Sequence, residues 1–145
     1  EVGDFSFKGC PIQRLCLPFL EQIGKGGLSF ASTKLQFHCG ITSQQAFDAE
    51  EGSIVGECLI LKKKEYPGRA FKQRKDFKAV FAPNLKHVAK DMFHGAGNLV
   101  TAIMPEAEVV VSGAFTKTSL QNCFFPRLAR IGDFGFQRSQ IKELS

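Results

Sequence analysis

Apolar positions along the chain change period several times, and each change predicts an element. Ile12, Leu15, Leu17, Phe19, Leu20 and Ile23 recur mostly at helical spacing, interrupted by Pro18. They predict a short or broken helix ended by the turn Gly24 to Gly27. Leu35, Phe37, Cys39 and Ile41 alternate with Gln36, His38 and Gly40, the two-residue period of a half-buried strand. After a polar connection, Thr42 to Gly52, with room for a helical turn, Ser53 to Lys63 is apolar on both faces and suits a central strand. Asp76 to Pro83 predicts another strand, with Phe77, Ala79 and Phe81 on one face. Leu85, Val88, Ala89, Met92 and Phe93 then fall at i, i+3, i+4, i+7 and i+8 behind an Asn84 cap, which predicts an amphipathic helix ended by Gly95. Asn98 to Gly113 predicts two strands joined at Pro105 as a hairpin. Leu120, Cys123, Phe124, Leu128 and Ile131 share a helical face, with Thr116, Thr118 or Ser119 as cap. Pro126 kinks or splits that helix, because an interior proline costs about 3 kcal/mol. No internal repeat or low-complexity tract stands out. The elements add up to a single α+β domain over residues 1–145, a mainly antiparallel sheet with helices packed on one face, carrying a basic loop at 62–78.

Composition refines this picture. The chain is 43% apolar and 23% charged, a globular balance that excludes disordered and collagen-like classes. Its net charge of +5 is local: Lys62 to Lys78 holds eight basic and two acidic residues, a net of +6, which leaves about −1 for the remainder. A focused patch of this kind attracts polyanions, and a solvated loop is the alternative. Five cysteines, Cys10, Cys16, Cys39, Cys58 and Cys123, form no CxxC pair and cannot all pair internally. Free thiols in a reducing, intracellular compartment, nuclear or cytoplasmic, are the expectation. His38, His87 and His94 lack zinc-ligand spacing, so no metal and no cofactor is expected. No apolar run approaches the roughly 20 residues of a membrane span, so a soluble protein with no membrane partner is expected. The start at Glu1 suggests an excised or processed domain.

The basic stretch interleaves cations with rings. Lys62, Lys63, Lys64, Arg69, Lys72, Arg74, Lys75 and Lys78 are candidates to neutralise phosphates, and Phe71 and Phe77 to stack on bases, with Tyr66 also in the stretch. The reading is a non-enzymatic domain that binds nucleic acid, DNA or RNA, or another polyanion. Two alternatives remain. Asp76 and Lys78 match the [DE]xK form of metal-dependent nucleases, which needs a second carboxylate from Asp48, Glu57 or Glu65. A structural or assembly protein of viral type, working as an oligomer, fits the same composition. No catalytic residue is assigned: Ser112-Gly113 is not GxSxG, and the Gly24 to Gly27 turn lacks the full phosphate-loop pattern.

The segment "LVTAIMPEAEVVVSGAFTKTSLQNCFFPRLARIGDFGF", Leu99 to Phe136, resembles the end of one repeat of the TATA-binding protein family, with "SGA" at Ser112 to Ala114 and "GF" at Gly135-Phe136. "KDFKAVF", Lys75 to Phe81, is similar to the basic-aromatic strand that precedes it. The resemblance implies a hairpin and helix in this region, Phe77 and Met104 as minor-groove wedges, and Lys75 and Lys78 near phosphates. The chain departs from the family where Met104 replaces an aromatic and Pro126 enters the helix.

Overall fold

The computed structural model of the chain describes residues 14–15 and 43–144. The helix expected over 12–23 lies outside these except for Arg14 and Leu15, and the strand expected over 35–41 lies outside altogether.

Short extended segments alternate with turns, and equivalent segments of successive laps pair in parallel. β1 (Arg14–Leu15) is followed by α1 (Ser43–Asp48), β2 (Ile54–Val55), β3 (Cys58–Ile60), β4 (Ala79–Phe81), β5 (His87–Val88), β6 (Thr101–Ile103), β7 (Val109–Val110), β8 (Asn122–Phe124), β9 (Arg130–Ile131) and β10 (Glu143–Leu144). One sheet has the order β1-β10-β8-β6-β4-β3-β2, and a second has the order β5-β7-β9. Only the β2–β3 pair is antiparallel among them. The long-sheet register runs from Cys58 to Ala79, Thr101, Asn122 and Glu143, in steps of 21, 22, 21 and 21 residues. Each step is one lap of a β-solenoid.

A lap has three sides. The first is a strand of the long sheet, whose inward Leu59, Val80, Ala102, Cys123 and Leu144 are fully buried. The second is a strand of the short sheet, contributing Val88, Val110 and Ile131. The third is a turn segment that is not a strand but still bonds lap to lap: the Phe71, Phe93 and Phe115 amides donate to the Met92, Ala114 and Gly135 carbonyls at 2.8–2.9 Å. These phenylalanines and Phe136 stack along the axis, with centroids 5.5, 5.3 and 5.2 Å apart and interplanar angles of 16°, 4° and 4°. Side-chain bonds seal the corners, as where Asn84 Nδ2 donates to the Lys62 carbonyl at 2.9 Å and Asn98 Nδ2 to the Lys75 carbonyl at 2.7 Å.

The architecture corrects the α+β expectation, and the physical reason lies in the three-sided lap. All three sides point residues toward one axis, so inward positions recur every three or four residues and imitate a helical period. Leu85, Val88, Met92 and Phe93 are all fully buried, but they belong to a corner, β5 and the turn segment rather than to a helix. The segment from Leu120 to Ile131 likewise contains β8 and β9. The hairpin expected at Asn98 to Gly113 is also absent. β6 and β7 flank Pro105 but belong to different sheets, each pairing in parallel with neighbouring laps. The only helix among the described residues is the six-residue α1. Its Ala46 packs with Cys58, Ile60 and Ala79 on the outer face of the long sheet.

Candidate functional site

Lys62 to Lys78 is seventeen residues of a lap that takes 21. Its side chains are therefore carried around the axis rather than gathered on one face. Lys62, Lys63 and Lys64 occupy the corner after β3. There a Glu51 carboxylate accepts from the Lys62 amide and from the Tyr66 hydroxyl, while the Lys63 amide donates to that hydroxyl at 3.1 Å. The Lys63 ammonium lies 5.9 Å from the Tyr66 ring centroid. Arg69 and Lys72 lie on the turn face. Arg74 sits 5.6 and 5.5 Å from the Phe71 and Phe77 centroids and bonds through Nε to Asp76 at 3.0 Å. Lys75 is exposed at the last corner, and Lys78 pairs with Glu57 at 2.9 Å.

Both rings singled out for base stacking are inside. Phe71 is 9% exposed and Phe77 2%, and Met104 is fully buried. Asp76 and Lys78 flank Phe77, and each is engaged by a different partner, Arg74 and Glu57. The hydrogen bond from Arg74 holds the Asp76 carboxyl below the ordinary carboxylate range. No three His, Cys, Asp or Glu side chains gather in a metal-holding arrangement among the described residues. Cys58 and Cys123 are fully buried.

Tyr66 allows a direct check of the Glu51 clasp, because the chain has one tyrosine and no tryptophan. Burial, and then the hydrogen bond to Glu51, push its phenol well above the usual value of about 10. A folded pKa above the unfolded one means that the clasp's contribution is intact below about pH 10 and is lost as the pH rises toward the folded pKa. Alkaline titration followed by phenolate absorbance should show a delayed, cooperative rise that Glu51→Gln moves to lower pH. An ordinary midpoint in the unchanged chain would contradict the clasp.

The turn face collects a different set of residues. Each of four described laps crosses it on two left-handed residues four apart: Arg69 and Gln73, Asp91 and Gly95, Gly113 and Lys117, Phe134 and Arg138. Left-handed φ costs about 1–2 kcal/mol for most residues, yet it recurs on every lap because it turns the inward phenylalanine between the two toward the axis. Outward rows bring Arg69, Lys72, Lys90, Lys117 and Arg138 onto this face with Asp91, Asp133 and His94. At its centre is an open groove of about 410 Å3, lined by Lys90, Asp91, His94, Ser112, Gly113, Thr116, Asp133, Phe134 and Gln137. The Asp91 carboxylate lies against Gly113, where a Cβ would fall 2.2 Å from Oδ1. Arg69 Nε is 3.7 Å from one Asp91 oxygen and His94 Nδ1 3.6 Å from the other. Phe134 stands exposed at the groove, 44% accessible.

Of these residues only Arg69 and Lys72 belong to the stretch singled out from sequence. Lys90, Lys117 and Arg138 lie far apart along the chain and reach one face only through stacking. The signal that locates them is the recurrence of phenylalanine at 71, 93, 115 and 136. No protein-family profile, curated protein or solved structure matches the chain. The fold and its lateral rows therefore define the class, a β-solenoid of in-register laps.

Proposed function

We propose that the protein is a non-enzymatic binding scaffold that holds an acidic polymer along its turn face. The observation that carries this reading is the set Arg69, Lys72, Lys90, Lys117 and Arg138, drawn from four successive laps onto one face where, among the described residues, only Asp91 and Asp133 stand in opposition. Cations spaced along a rigid face suit a partner with regularly spaced anions, since each contact releases counterions without reordering the scaffold. A comparison between laps adds support. Inward rows repeat, with phenylalanine at 71, 93, 115 and 136, whereas outward rows differ, as in Lys90, Ser112 and Asp133. Packing holds the first kind alike, and the second is open to recognition. A step of 21 or 22 residues with one long-sheet strand per lap falls within the range of about 20–29 for leucine-rich-type solenoids. Solenoids bind partners through extended lateral surfaces, a fold-level analogy only.

Two variants of equal charge test the reading. Lys72, Lys90, Lys117 and Arg138 changed together to glutamine should weaken binding of a labelled acidic polymer by tenfold or more at low salt, on the order expected for losing four anion contacts, and flatten its salt slope. The same change at Lys63, Lys64, Lys75 and Lys78 should have the smaller effect in fluorescence anisotropy. If the second variant loses more affinity than the first, the basic lap and not the turn face is the site.

A further inference from the structure

Asp91 is the least expected group on a face offered to anions. Its side chain is only 18% exposed, the His94 and Arg69 nitrogens beside it stand at 3.6 and 3.7 Å, beyond hydrogen-bond distance, and no hydrogen bond to it forms among the described residues. A carboxylate so placed keeps its acceptor capacity for an incoming donor. The chain makes room for it: with any side chain at position 113 the Asp91 carboxylate would have to move. Beside it stands Phe134, an aromatic held at a φ of +59°, where a bulky residue is a conformational outlier. Its backbone conformation is dictated by the lap, but the exposed ring is this lap's own, since the same row elsewhere carries Arg69, Asp91 and Gly113.

We infer that the turn-face groove is a saccharide subsite that seats one hydroxyl-rich ring of an acidic glycan. The inference rests on the acidic-polymer reading above and names the polymer. Asp91 and Asp133 accept hydrogen bonds from ring hydroxyls, Ser112 and Gln137 donate and accept at the sides, and Phe134 lies against the C–H face of the sugar. The glycan's anions then meet Lys90 at the groove wall and Lys72, Lys117 and Arg138 beyond it. A glutamate-rich peptide fits this division poorly, because it brings anions without hydroxyl donors. A nucleic acid brings phosphates close to every ring, and the two groove carboxylates repel them. A chain whose hydroxyls and charges occupy separate edges of each ring satisfies both the groove and its rim.

The test uses the full chain and four labelled probes: an oligogalacturonate, a neutral dextran oligosaccharide, polyglutamate and single-stranded DNA. Phe134→Ala and Asp91→Asn should each weaken oligogalacturonate binding by about tenfold, the size of one lost anchor contact. Their melting temperatures should not fall, and the weaker polyglutamate and DNA binding should not change. Neutral dextran should bind measurably in the same groove only at much higher concentration. Unchanged oligogalacturonate affinity in both variants, or polyglutamate or DNA binding as tightly as the glycan, would overturn the saccharide subsite and leave the acidic-polymer reading standing. If no anionic probe binds at low salt, both fall.

Discussion

Replacing Phe115 by alanine is expected to destabilise the protein by about 3–5 kcal/mol, the range for removing a fully buried aromatic from a core that cannot collapse. Phe115 is 0% exposed and has a ring on either side along the axis, Phe93 at 5.3 Å and Phe136 at 5.2 Å, both nearly parallel to it, with Phe125 a further 5.9 Å contact. Collapse is resisted because backbone bonds hold the laps above and below, Phe93 N to the Ala114 carbonyl at 2.8 Å and Phe115 N to the Gly135 carbonyl at 2.8 Å. Phe71→Ala, at the end of the ladder and 9% exposed, should cost less. Urea unfolding of the two variants gives the comparison. Equal losses would mean that the rings contribute as independent burials and not as a column.

A second large effect is expected at Gly132, where the backbones of two laps come close together. A Cβ there would lie 2.6 Å from the Ser112 amide nitrogen and 3.0 Å from the Val111 carbonyl carbon, both backbone atoms of the preceding lap. Neither rotates away, so Gly132→Val must separate two laps next to the hydrogen bond from Gly132 N to the Val110 carbonyl, 2.7 Å long. Overpacking against backbone places the cost near the upper end of its usual range, about 3 kcal/mol. Gly52→Ala is the control: nothing lies within 4 Å of its Cβ, and only its φ of +74° opposes the change, which limits the cost to about 1–2 kcal/mol. Thermal melts in which the two variants behave alike would show that the close approach at Gly132 relaxes.

How much of this was legible in the sequence depends on the distance over which a pattern is compared. Within windows of ten or so residues, inward positions from three sides of one lap read as helix, and Leu85 to Phe93 satisfied that template fully. Over a full lap the order is plain. Pro83, Pro105 and Pro126 stand 22 and 21 residues apart, each following the buried Ala82, Met104 or Phe125 and preceding the buried Leu85, Ala107 or Leu128 by two. Leu15, Leu17, Pro18, Leu20 and Ile23 carry the same spacing as Cys123, Phe125, Pro126, Leu128 and Ile131, and β1 pairs in parallel beside β10 in that register. Pro126, which breaks a helix, marks a lap corner without difficulty. The candidate site was less legible, for a geometric reason. A run of charges close together in sequence is dispersed around a lap, whereas Lys90, Lys117 and Arg138, far apart in sequence, are brought together by stacking. The rings Phe71 and Phe77 became stacking candidates because their neighbours are charged, but on a three-sided lap the residue beside a lysine can point straight inward.

The laps are not equally long, and the difference is confined to corners. From Phe93 to the next long-sheet strand at Thr101 is eight residues, and from Phe115 to Asn122 is seven, yet strand and ring registers are both kept. The surplus lies around Gly97 and Asn98, where Asn98 bonds back to Lys75 and Ser119 Oγ donates to the Gly97 carbonyl at 2.5 Å. Such a molecule tolerates small insertions at its corners and grows by whole laps elsewhere. A gene for it can therefore lengthen by internal duplication without inventing a new core, and every duplicated lap would add one more rung to the turn face.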